Sequence, residues 1–220
     1  MRRQLKLTAA LTAVAGALPI LAVFLAWQTN LAEGFDPCNP FLDGCTSVSR
    51  AVRSGPGLTW FKVLAVPAAA CMALAWTGIG RHLYQGGGRG KYWVLGLGWL
   101  SAIAFVVYAL ALGFDGPFYG WMRRYGVIAY FGGCGLAQLL LAARLARRDL
   151  ASTRVFLGVV GLTWLLGVVS ASRRRLVEDP ALQDRLQNAL EWHFSTCLSL
   201  GLLALAWCLV DRERRKAEFS

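Results

Sequence analysis

Two ionisable residues stand out in runs where charge is expensive. Lys62 is the third residue of the apolar run Trp60–Ile79, and Glu191 opens another, Leu190–Val210, with His193 close behind. An ionisable group at membrane depth needs a partner or water, and such groups mark functional positions. Glu191 also belongs to a polar stripe, Asp184, Gln187 or Asn188, Glu191, Ser195 and Ser199. Steps of three and four place these residues on one helix face. The pattern predicts a polar pocket in which Lys62 faces Glu191. Its simpler alternative has Lys62 extending its ammonium to the interface and Glu191 lying among headgroups. Ser47, Ser49, Arg50, His193 and Gln138 complete the set of lipid or polar-pocket candidates.

The same residues bear on catalysis. Ser47 or Ser49 with His193 is a conceivable nucleophile–base pair, and no motif surrounds it. His82, the other histidine, falls at the opposite surface, so the histidine metal sites of intramembrane hydrolases cannot be assembled. No catalytic residue, metal site or cofactor is assigned. No run shows an ion-selectivity filter or a repeated acidic ring, and no inverted repeat is evident. The run Gly86-Gly87-Gly88-Arg89-Gly90 lacks the preceding strand and the following Lys-Ser/Thr of a phosphate-binding loop, and reads as a basic linker.

The elements that must position these groups are six apolar stretches: 7–27, 60–79, 93–113, 125–146, 154–171 and 190–210. Each has about the ~20 residues needed to cross a ~30 Å hydrocarbon core. With 220 residues, 56% of them apolar, the chain reads as one all-α, six-span membrane bundle over residues 1–220. The N-terminus, the second and fourth loops and the C-terminus, with the adjoining span ends, carry 14 Lys/Arg and 4 Asp/Glu. The other three loops, through Glu191, carry 8 and 8. This asymmetry predicts both termini in the cytoplasm, although Arg173-Arg174-Arg175 lies on the neutral side. Residues 28–59 then form a structured outward loop. The net charge of +11 fits anionic headgroups at the cytoplasmic face, and no basic stripe interleaved with aromatics points to nucleic acid. At 21 residues, the run 7–27 exceeds the ~7–15-residue apolar core of a signal peptide and reads as a span. Cleavage after it would leave the orientation of the other five unchanged.

Cys71, Cys134, Cys197 and Cys208 fall inside spans, where cysteine acts as a small apolar residue. Cys38 and Cys45 flank Asn39-Pro40-Phe41-Leu42-Asp43-Gly44 in the outward loop, and an oxidising compartment predicts a disulfide between them. Ala9, Ala13 and Ala17, and beside them Thr8, Thr12 and Gly16, read as packing seams. Pro19 and Pro67 should kink their helices. Trp27, Trp60, Trp121, Tyr125 and Trp192 at one surface, and Tyr84, Tyr92 and Trp93 at the other, match aromatic belts. Asp179-Pro180 is a helix start, and no Gly or Pro follows before Gly201, so the last helix should begin outside the membrane and run into it.

Several stretches carry a family resemblance. They are Asn39-Pro40, Cys45-Thr46-Ser47-Val48-Ser49-Arg50, Gly55-Pro56-Gly57 with Phe61, Arg124-Tyr125-Gly126-Val127-Ile128-Ala129-Tyr130-Phe131-Gly132-Gly133 with Gln138, and Asn188-Ala189-Leu190-Glu191-Trp192. In this order they resemble the DRAM/FRAG/SFK family of six-span proteins. Arg50 stands where that family often has aspartate, and Arg123-Arg124 where it has a histidine. The resemblance implies a lipid-associated membrane protein, since eukaryotic members are associated with GPI-anchor remodelling, autophagy modulation and phospholipid organisation. The Ala/Leu/Arg-rich composition and short loops resemble bacterial membrane proteins and point to the inner (cell) membrane. The expected function is non-enzymatic binding or organisation of lipid through an outward polar mouth. The alternatives are a lipid-modifying enzyme or enzyme subunit using Glu191 and His193, and a small-solute transporter. Membrane lipids are the expected partners, with other membrane proteins or a second copy as further options.

Overall fold

A computed structural model describes residues 2–35, 37–84, 88–147 and 150–218. Gly86 and Gly87 of the glycine run lie outside the described residues. The helices are α1 (Arg2–Ala32), α2 (Val48–Ala51), α3 (Gly55–Leu83), α4 (Arg89–Ala111), α5 (Pro117–Leu145), α6 (Ala151–Leu176) and α7 (Pro180–Glu218). No strand occurs among the described residues. Six of the helices are long and apolar enough to cross a membrane, in the order and number expected. They outrun the apolar stretches at most ends, because capping and proline chemistry, not hydropathy, sets a helix boundary. Pro56, Pro117 and Pro180 each lie in a first turn, where a missing N–H costs nothing. The Asp179 carboxylate accepts from the Ala181 N–H at 3.0 Å, and α7 continues unbroken from there, as the sequence predicts.

Around the bundle the order is α1, α3, α4, α5, α6, α7, and α7 packs back on α1. Arg212 Nη1 donates to the His82 carbonyl at 3.0 Å, and Thr8 packs against Gly78. The first turns of α1 and the last turns of α7 therefore share one end of the bundle, the termini end. The 28–59 segment closes the other, here the loop end.

Small residues set the helix spacing, since lipid supplies no hydrophobic drive between helices. A Cβ at Gly16 would lie 2.7 Å from the Ser199 carbonyl of α7, and one at Gly133 would lie 2.9 Å from the Leu97 carbonyl of α4. Thr8, Thr12 and Gly16 do form a buried seam. The neighbouring alanine stripe does so only at Ala9, which is buried: Ala17 is exposed, and Ala13 is half-buried along an open groove between α1 and α7 that Ala9 also borders. Phe61, Phe105, Tyr108 and Tyr130 form the aromatic centre, with Phe105 and Tyr130 stacked at 4.4 Å. α6 is the outlier: 17% of its apolar window is buried, against 39–56% for the other five. It leans mainly on α7 and leaves most of its surface exposed.

The aromatic belts hold in part. Trp60, Trp121, Tyr125, Tyr92 and Trp93 are exposed, whereas Trp27, Trp192 and Tyr84 are buried. Each buried ring has a partner that explains it. Trp27 and Trp192 meet edge to face at 6.1 Å, and the Arg144 guanidinium lies 4.5 Å over the Tyr84 ring.

Candidate functional site

At the loop end the connecting segment is fastened to α7 side chain by side chain. Asn39 begins a turn in which its Oδ1 accepts from the N–H groups of Phe41 and Leu42. The Cys38–Cys45 disulfide closes this turn, as the cysteine spacing and compartment predict. Three side chains on one face of α7 then donate to loop carbonyls: Arg185 Nε to Asp43 at 3.1 Å, Asn188 Nδ2 to Gly44 at 2.9 Å and Trp192 Nε1 to Thr46 at 2.9 Å. Gly44, at φ +59°, presses on the Arg185 backbone where a Cβ has no room. The first turns of α7 are thus the bed on which the loop lies.

The chain next forms α2. Ser47 is its N-cap, its Oγ accepting from the Arg50 N–H at 3.1 Å. Val48 and Ala51 are buried against Trp27 and Trp192, with Phe41 packed alongside. This packing turns Ser49 toward α7. Its N–H and its Oγ each donate to the Glu191 carboxylate at 3.3 Å, and Tyr108 of α4 donates to Ser49 Oγ at 3.0 Å. The Glu191 carboxylate is therefore held by a serine of α2 that is itself held by a tyrosine of the core. Arg50 and Arg53, both exposed, are the cations whose charge acts on Glu191. Behind α2, Asn30 secures the return to α3: its Nδ2 donates to the Ala51 and Ser54 carbonyls, and its Oδ1 accepts from the Gly57 N–H.

Beneath this latch lies a cavity of about 40 Å³. Phe61, Phe105, Tyr130 and Phe131 supply much of its apolar wall, with Pro19 and Phe24 of α1 opposite. The polar groups on the wall are Glu191, Tyr108, Ser195, Thr196 and Ser199. One carboxylate and four hydroxyls thus face an otherwise apolar wall. The volume holds about three waters, since each needs ~10–15 Å³ of such space.

The sequence candidates divide accordingly. Ser49 and Glu191 come together, and Ser195 and Ser199 join Glu191 on the cavity wall as the stripe predicts. Ser47 caps α2 and Arg50 rims the latch. Lys62 does not face Glu191: its Nζ lies over the Phe114 ring, 5.0 Å from the centroid, and the two residues form no ion pair. The reason is topological, because α3 packs between α1 and α4 while α7 packs between α1 and α6. His193 points away from Glu191. Its Nδ1 meets the Ala189 carbonyl at 2.9 Å and its ring stands edge-on to Phe41 at 5.2 Å. Gln138 is buried deeper, donating to the Leu198 carbonyl at 2.9 Å and so tying α5 to α7 away from the cavity. No group of His, Cys, Asp and Glu that could hold a metal ion occurs among the described residues.

Tyr108, Thr196 and Asn30 were not among the sequence candidates. A tyrosine deep in an apolar run needs a partner for its hydroxyl, and that demand was the available signal for Tyr108. Thr196 lies one residue from the predicted stripe. Nothing in its local sequence marks Asn30 as the clamp. Compared with family models, curated proteins and solved structures, the chain matches none.

Proposed function

We propose that this chain is a non-enzymatic integral membrane protein that binds or organises membrane lipid through the loop-end cavity, with both termini in the cytoplasm and the cavity facing outward. The observation that carries this reading is the cavity's composition: a latched carboxylate and four hydroxyls on an aromatic and aliphatic wall. Arg50 and Arg53 beside the latch suit the phosphate of a headgroup. A cavity this narrow must open to admit a chain. Phe24, which lines it and is 42% exposed, is the side chain placed to move. The latch also argues for binding over turnover. The Ser49 hydroxyl donates its proton to a carboxylate with no imidazole beside it, a poor arrangement for a nucleophile. The resemblance to the DRAM/FRAG/SFK family agrees with a lipid-associated role, and the bacterial character of the composition agrees with an inner-membrane location.

Lipid analysis of the purified protein tests the proposal. The wild-type chain should retain a lipid that survives detergent exchange, and Thr196→Trp, which fills the cavity, should lose it. Equal retention by both would contradict the reading. Orientation is tested separately by a reporter fused after Ser220. Activity only outside the cell would overturn it.

A further inference from the structure

The alanine stripe that does not close fully against α7 leaves a large open space on the molecule. At the termini end, α1 and α7 diverge around a groove of about 710 Å³. Its floor is apolar and shallow-walled, with Ala10 and Ala13 on one side and Leu203 and Trp207 on the other. Three charged groups line its outer end: Lys6, Arg214 and Glu213. Lys6 and Arg214 are exposed, and neither forms an ion pair among the described residues. Arg3 lies one turn before Lys6, and Arg215 follows Arg214.

Length decides what fits. From Leu203 to Arg214 the helix rises roughly 16 Å at ~1.5 Å per residue, but the apolar run ends at Val210, so only roughly 10 Å of the groove falls within a ~30 Å hydrocarbon core. The groove therefore runs from the headgroup level partway into one leaflet and stops. A partner helix would need the full thickness. One acyl chain stays within a single leaflet, and its phosphate would then meet the cationic rim. We infer that the α1–α7 groove at the termini end binds an anionic phospholipid of that leaflet, the acyl chain lying on Ala10, Ala13 and Trp207 and the phosphate between Lys6 and Arg214. This site is separate from the loop-end cavity and stands whether or not that cavity holds lipid.

Native mass spectrometry of the delipidated full chain tests the inference, with phosphatidylglycerol and phosphatidylcholine as probes. Wild-type protein should bind phosphatidylglycerol in preference. Lys6→Gln and Arg214→Gln should each weaken it roughly five-fold and together about 25-fold, as expected for one surface cation apiece. Both sites are exposed, so folding is not at stake. Glu213→Gln, which removes the one acidic group of the rim, should strengthen binding. Ala13→Trp, which fills the groove, should abolish it, while Thr196→Trp at the loop end should leave it intact. Soluble glycerol phosphate should not compete, because the acyl chain is half of the recognition. Phosphatidylglycerol binding unchanged by the double substitution and by Ala13→Trp would overturn the inference. So would efficient disulfide dimerisation of an Ala10→Cys variant in membranes, which would give the groove to a second copy of the chain.

Discussion

Replacing Ser49 with alanine should cost more than a half-exposed loop serine suggests, and the excess should depend on Tyr108. Ser49 Oγ donates to Glu191 at 3.3 Å and accepts from Tyr108 at 3.0 Å, while the Ser49 N–H keeps its own contact with the carboxylate. Ser49→Ala deletes one long hydrogen bond to a carboxylate, about 1.5 kcal/mol, and strands the buried Tyr108 hydroxyl at about 1–2 kcal/mol. The total is about 2.5–3.5 kcal/mol. Tyr108→Phe removes a bond without stranding a charge and should cost about 1 kcal/mol. In the double variant no hydroxyl is stranded, so its cost should fall about 1–2 kcal/mol below the sum of the singles. Equilibrium unfolding of the four proteins in one detergent measures this. Additivity within about 0.5 kcal/mol would show that the Tyr108–Ser49–Glu191 chain is not an energetic unit.

Other outcomes follow from the same contacts. Lys62→Met and Glu191→Gln should be additive within about 0.5 kcal/mol, because Lys62 rests on Phe114 and not on Glu191; strong coupling in the double variant would refute this packing. Losing the Cys38–Cys45 bridge, which spans seven residues, should destabilise by about 2.5 kcal/mol on the loop-entropy relation, and thiol labelling of both cysteines in untreated wild-type protein would deny the bridge. Gly201→Ala should destabilise by about 1–3 kcal/mol, since its Cβ would overlap the Gln138 amide; an unchanged melting temperature would mean that α5 and α7 are not in contact there.

Six apolar runs were legible because a lipid-facing helix must be apolar over its whole length, and that signal survives without knowledge of any neighbour. The start of α7 at Asp179-Pro180 and the Cys38–Cys45 pairing were legible because each rests on residues a few positions apart. Glu191 stood out because a carboxylate there demands a partner. Which partner it takes was not legible. Ser49 and Lys62 are both plausible by depth, and only the circular order of helices chooses between them. The alanine stripe illustrates the same limit. Small residues permit close approach, yet Ala9 and Ala13 border an open groove because Trp207 and Val210 stand opposite. Belt tryptophans likewise look identical in sequence whether they are exposed, as Trp121 is, or lie under a loop, as Trp192 does.

Photolabelling in native membranes with a phospholipid carrying a diazirine on its acyl chain, followed by peptide mapping, tests the lipid-binding reading most directly. Labels should concentrate on α1 near Phe24, on α5 near Phe131 and on α7 near Thr196, and Thr196→Trp should remove them. Labels spread evenly over the exposed faces of α4 and α6, with none at those cavity residues and no change in Thr196→Trp, would contradict lipid binding at the loop end.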